Sequence, residues 1–195
     1  IGHGGLNAHG HHGADPVADR IYVARTAPSQ VNGGGAMDTS AQIGHGGQNV
    51  QGNLKGRIKV GAEDGIILQG GTADRSYAQI GLGGHDDVAG LGNFDGDKDG
   101  MVVVFSRTGN IDVIGGTAAG AYGQIGHGGL NNDGNFKTEA LGLFVFAGSA
   151  AGPPSAGDLT VATGLGTGAY GMVGLGDGGP LGLPGSVSGT GDRMG

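Results

Sequence analysis

The sequence predicts an all-β chain wound as a parallel β-solenoid, or β-helix, of about four repeats. Three observations lead there. A short Gly-rich block returns five times, reading IGHGGLN from Ile1, QIGHGGQN from Gln42, QIGLGGHD from Gln79, QIGHGGLN from Gln124 and MVGLGDGG from Met172. Between the blocks apolar residues alternate with period two, and no window carries a helical i, i+3, i+4, i+7 stripe. Equivalent positions also hold identical residues, as stacked coils favour: Tyr77, Tyr122 and Tyr170 form one set, Gln42, Gln79 and Gln124 another.

Each element follows from local sequence. The branched residue of the block falls at Ile1, Ile43, Ile80, Ile125 and Val173, at intervals of 42, 37, 45 and 48 residues. After each block comes a Gly/Asn loop of variable length. Next is a short alternating strand: RIYVA from Arg20, RIKVG from Arg57, MVVVF from Met101, LFVFA from Leu143. A second strand follows in GIILQGG from Gly65, NIDVIGG from Asn110 and DLTVATG from Asp158. A third, ending in Tyr-x-Gln, leads into the next block. That makes three strands per unit, with the GxGG runs expected at corners, where the chain takes positive φ or backbones approach closely. The units lie near 1–42, 43–79, 80–124 and 125–172 of a repeat region 1–179, and 180–195 reads as a flexible tail or linker. Ile1 opens inside a block, so the chain reads as an excerpt of a longer one. A β-propeller or another Gly-rich β repeat is the alternative. Propeller blades match the repeat length, but they need four strands and more aromatic packing than 5% aromatics without Trp supplies.

Composition removes several function classes. The 50 Gly and 6 Pro in 195 residues would suit a disordered chain if no period organised them. Cys is absent, which excludes disulfides, zinc knuckles and thiol nucleophiles. Ten basic against 17 acidic residues give a net charge of −7, and the basic residues never cluster along the chain. Nucleic acid and anionic membrane surfaces are therefore not expected partners. No apolar run reaches the roughly 20 residues of a membrane span.

The block SYAQIG-x-GG or AYGQIGHGG, with its Gly/Asn loop and paired short strands, resembles the repeats of very large secreted bacterial surface proteins of the filamentous haemagglutinin-like or autotransporter-adhesin type. The resemblance covers about residues 1–179. It implies a right-handed parallel β-helix, export to the cell surface or beyond, and an adhesive or scaffolding stalk. Two departures stand out: repeat length drifts by 11 residues, and the last block has neither Gln nor His.

Candidate sites are few. Asp95-Gly-Asp97-Lys-Asp99-Gly100 reads D-x-D-x-D-G, the opening of a calcium loop in which alternate carboxylates converge on a hard cation. The twelfth loop position is Ser106, not an acid, so an EF-hand is excluded. Calcium is the one cofactor expected, against the plainer reading of a solvated acidic loop. His3, His45 and His127 share one repeat position that accepts Leu82 and Leu175 elsewhere, which marks a packing position. His9, His11 and His12 form a second cluster without carboxylate or thiolate companions. GxGxxG at Gly166 and Gly174 lacks the strand–helix setting that gives it meaning. Asp86, Asp87, Asp95, Asp97 and Asp99 could line a polysaccharide-cleaving groove, but Glu occurs only at 63 and 139, and no catalytic set emerges. Scattered Thr argues against an ice-binding face.

The expectation is thus a non-enzymatic structural or adhesive segment of an extracellular or cell-surface protein. It would stack head to tail with its own kind and touch surface glycans or a neighbouring cell through its loops. A calcium-dependent ligand-binding module is the alternative.

Overall fold

A computed structural model of the chain describes residues 1–2, 20–50, 52–85, 96–132, 136–148 and 157–177. Among them are sixteen strands and no helix. The chain passes four times through the same four strands. The first coil holds β1 (Arg20–Arg25), β2 (Ser29–Asn32), β3 (Ser40–Ile43) and β4 (Gly46–Gln48). The second holds β5 (Leu54–Ala62), β6 (Ile66–Gln69), β7 (Tyr77–Ile80) and β8 (Gly83–His85). The third holds β9 (Lys98–Ser106), β10 (Ile111–Ile114), β11 (Tyr122–Ile125) and β12 (Gly128–Gly129). The fourth holds β13 (Phe136–Ala147), β14 (Leu159–Ala162), β15 (Tyr170–Val173) and β16 (Gly176–Asp177).

Equivalent strands pair only with one another, and always in parallel. They build a long sheet β1-β5-β9-β13, a second sheet β2-β6-β10-β14, a third sheet β3-β7-β11-β15 and a glycine sheet β4-β8-β12-β16. This is a parallel β-solenoid of about four coils. Register follows the repeat: Ile43 lies beside Ile80, Ile80 beside Ile125, and Ile125 beside Val173. Ile1 joins the same row, since its carbonyl accepts from the Gly44 N–H at 2.8 Å. Length differences fall in the connections and in one irregularity of β13, where the register jumps between Thr138 and Leu143.

The fourth strand corrects the expectation of three per repeat. The first Gly of the GxGG block and the residue after it form the expected bend, and the last two glycines enter a further strand. Low strand propensity hid it, because Gly normally weakens a strand. Here the glycines hold extended backbone at positive φ, +147° at Gly44, +157° at Gly81 and +134° at Gly126. In that conformation a Cβ would point along the solenoid axis. At Gly44, Gly81 and Gly126 it would overlap the carbonyl of the equivalent glycine in the next coil, Gly81, Gly126 and Gly174 respectively. Only Gly permits this stacking.

The aliphatic core lies inside the coils. Inward residues of the long sheet (Ile58, Val60, Val102, Val104) meet those of the second sheet (Ile66, Leu68, Ile111, Val113) and the Ile43, Ile80, Ile125 row. Parallel strands with equal residues in register keep each apolar row continuous. One turn per coil ends in a left-handed residue: Asp38 (φ 60°), Arg75 (56°), Gly120 (63°) and Gly168 (68°). The two non-Gly members carry the strain of that region. They are tied together by a bidentate pair, Arg75 Nε to Asp38 Oδ1 at 2.6 Å and an Arg75 guanidinium N to Asp38 Oδ2 at 2.8 Å.

The glycine rows predict a sharp contrast. Gly126→Ala should cost roughly 3 kcal/mol or more, from mirror-β strain plus overlap with a backbone carbonyl. At Gly35 a Cβ would meet only the Thr72 Oγ1 at 3.6 Å, so Gly35→Ala should stay within about 0.5 kcal/mol. Denaturant midpoints of the two variants measure the difference.

Candidate functional site

Polar and aromatic side chains gather in two places, one between the third and glycine sheets, the other on the outer face of the long sheet. The first arises because β7 and β11 are buried on both faces. Ala78, Ile80 and Ile125 turn to the aliphatic core, and Tyr77, Gln79, Tyr122 and Gln124 turn to the glycine sheet. Tyr77 stacks on Tyr122 at 4.8 Å and 0°, and Tyr122 on Tyr170 at 4.9 Å and 5°. The ring spacing is that of the strands, so the aromatic column follows the backbone ladder. Ser40 holds this row in the first coil.

The Gln amides donate to backbone carbonyls of the glycine strands and not to one another. Gln42 Nε2 donates to the carbonyls of His45, Gly81 and Gly83, Gln79 Nε2 to those of Gly126 and Gly128, and Gln124 Nε2 to those of His127 and Gly176. Each amide thus clips its own coil to the glycine strand of the next. The positive-φ glycine backbone turns those carbonyls inward, where they compete for the amide protons.

His45 and His127 lie buried in the expected shared row with Leu82, while His3 falls outside the described residues. His127 Nδ1 accepts from the Leu82 N–H at 3.2 Å, and its Nε2 stands 3.1 Å from the Gly100 carbonyl. Those two contacts fit the neutral ring with its proton on Nε2. Burial lowers its pKa to about 4; the Gly100 carbonyl and Asp99 pull upward and Lys98 pulls further down. Lys98 is itself an inward residue, 2% exposed, in register with Leu54. The hydroxyls of Tyr77 and Tyr122 face the backbone near His85 and Leu130, at geometry too loose for full hydrogen bonds. Burial pushes Tyr77 up to about 12 and Tyr122 well above its ordinary value.

Of the D-x-D-x-D-G acids, Asp95 lies outside the described residues, as do Asp86, Asp87, His9, His11 and His12. Lys98 and Asp99 already belong to β9, with Lys98 turned in and Asp99 turned out. The Asp97 N–H donates to Asn53 Oδ1 at 2.9 Å, linking this segment to the preceding coil. Among the described residues no three His, Asp or Glu side chains form a metal-holding group.

The second assembly is one that reading along the chain missed. The outward positions of the long sheet include Arg20, Tyr22 and Ala24 in β1, Lys55, Arg57, Lys59 and Gly61 in β5, Asp99, Met101, Val103 and Phe105 in β9, and Phe144 and Phe146 in β13. Basic residues dispersed in sequence therefore do cluster in space. Lys59 Nζ lies 5.5 Å from the ring centroids of both Tyr22 and Phe105. Phe105 lies across Gly61, its partner in register, where a Cβ would collide with the ring. Phe144 and Phe146 stack at 5.9 Å and 5°. The signal in the sequence was the alternation itself: in RIYVA, MVVVF and LFVFA every aromatic residue occupies the outward phase.

Comparison of the chain with protein-family models, with curated proteins and with solved structures gives no match.

Three outcomes follow from the buried groups. The folded pKa of His127 lies below its unfolded value of 6.5, so its contribution is complete above pH 6.5 and is lost as pH falls toward 4. The full loss is on the order of 3 kcal/mol. His127→Leu should flatten that acid limb while costing about 1–2 kcal/mol at neutral pH, because the Leu82 N–H loses its acceptor. Tyr77 and Tyr122 act in the opposite sense, with stability intact below pH 10 and declining above it as their phenols are forced to ionise. Urea midpoints across pH 3 to 12 for both proteins check all three.

Proposed function

We propose that the chain is a structural segment of an extracellular or cell-surface fibre or adhesin, a stiff rod that holds contact surfaces at a distance and continues head to tail. The observation that carries this reading is the set of four parallel ladders, each running through all four coils with like residues in register. Such a lattice resists bending because every coil is hydrogen-bonded to its neighbours on all sides. It also adds length by repeating one unit. The resemblance of the AYGQIGHGG block to secreted bacterial surface proteins supports the same reading. In this reading repeats of the same kind continue the ladders, a heterologous contact that forms filaments.

Negative-stain microscopy and sedimentation of the purified chain test the rod. Rods that lengthen with concentration are expected. A strict monomer across a hundredfold concentration range, with no filaments, would refute head-to-tail assembly. The calcium alternative has its own readout: thermal melting with calcium and with chelator, where a midpoint indifferent to both removes the Asp95–Asp99 site.

A further inference from the structure

The outer face of the long sheet divides into two halves. Arg20, Lys55, Arg57 and Lys59 give the first two coils a cationic half. Met101, Val103, Phe105, Phe144 and Phe146 give the last two an apolar half. Asp99 lies at the edge of this face, in a chain whose net charge is −7. Large apolar side chains are left exposed there: Tyr22 at 64%, Phe146 at 51% and Phe144 at 40%. An exposed, contiguous apolar patch on a soluble fold marks a contact surface.

We infer that this face docks flat on an anionic lipid surface, cations at the headgroups and the Phe and Met side chains at the acyl boundary. Charge and area select this occupant. Four strands about 4.8 Å apart, with six to nine residues of some 3.3 Å each, give a face of roughly 400–570 Å². A stable protein partner, or a second copy, needs about 800 Å² per side. A sugar chain could also stack on Tyr22, Phe144 and Phe146, but four cations on one half of the face favour a surface that is anionic as well as apolar. A lipid surface asks for cations and exposed apolar side chains lying in one plane, and this face holds both. The geometry also fits a rod, since docking through one side leaves the axis free. The inference stands apart from the filament reading, because a monomer could bind vesicles as well as a fibre could.

Co-sedimentation of the intact chain with vesicles of phosphatidylcholine alone, and of equimolar phosphatidylcholine and phosphatidylserine, tests it. Binding to the anionic vesicles alone, weakened by added salt, is expected. The double variant Arg57→Gln/Lys59→Gln should bind roughly thirty-fold more weakly, from the loss of two cations at the surface. Arg20→Gln/Lys55→Gln should do the same, which guards against a local effect at the Lys59 ring contacts. Phe144→Ser/Phe146→Ser should release the fraction of protein that salt does not. Circular dichroism confirms that each variant keeps its strands. In Tyr22→Trp protein, brominated acyl chains should quench the indole. Equal binding to both vesicle types, no binding to either, or capture by a soluble sulfated polysaccharide or single-stranded DNA in place of vesicles would overturn the inference.

Discussion

Every coil of this protein must approach the next at the spacing of a β ladder, and the glycine sheet is where that requirement is least forgiving. Its glycines sit at positive φ, and at Gly46, Gly83 and Gly128 the missing Cβ is aimed at a carbonyl of the adjacent coil. A methyl group there would push the coils apart or turn the strand over. Because the four sheets share one chain, a shift in the glycine sheet would stretch the ladders of the other three. The high Gly content, a mark of disorder in most chains, is here concentrated where rigid stacking demands it.

That constraint explains what surrounds it. Glycine strands bring backbone carbonyls inward, and a row of buried carbonyls needs donors. The Gln row supplies them, one amide to two or three carbonyls in its own and the following coil. The Tyr column fills the remaining thickness between the third and glycine sheets, since glycine offers no side chain to pack. Gln and Tyr alternate with Ala or Gly and Ile on the same strand, and so the third sheet can serve two interiors at once. His127 belongs to the same economy: it reaches from the glycine sheet across the core to the Gly100 carbonyl of β9 and joins elements that no ladder joins.

Much of this was legible in the sequence. The spacing of the blocks set the coil boundaries, and alternation in RIKVG and NIDVI placed Ile58, Val60, Ile111 and Val113 in the core, where they are buried. Identity of Tyr77, Tyr122 and Tyr170 announced a stacked column. The fourth strand was not legible, because strand preference is a property of side chains packing on a pleated surface and Gly83–His85 has almost none to display. The fate of the Gln amides was hidden for the same reason, since it depends on where glycine carbonyls point. The acidic D-x-D-x-D-G segment is a third case: its motif was plain, but β9 begins inside it and separates Lys98 from Asp99 to opposite faces.

The outer face of the long sheet shows a different kind of concealment. Arg20 and Arg57 are 37 residues apart in sequence and lie side by side in register; Phe105 and Phe146 are 41 apart and equally adjacent. A solenoid converts one phase of one strand in each repeat into a single surface column. Clustering along the chain is therefore the wrong measure of charge for such a fold, and clustering at the repeat interval is the right one. By that measure the first two coils are cationic and the last two apolar on one face, within a chain of net charge −7. The interior positions of these strands are bound to each other by stacking and leave little freedom to vary. The outward positions are held less tightly, through contacts such as Lys59 with the Tyr22 and Phe105 rings, and they divide into Arg20, Lys55, Arg57 and Lys59 on the first two coils and Met101, Val103, Phe144 and Phe146 on the last two.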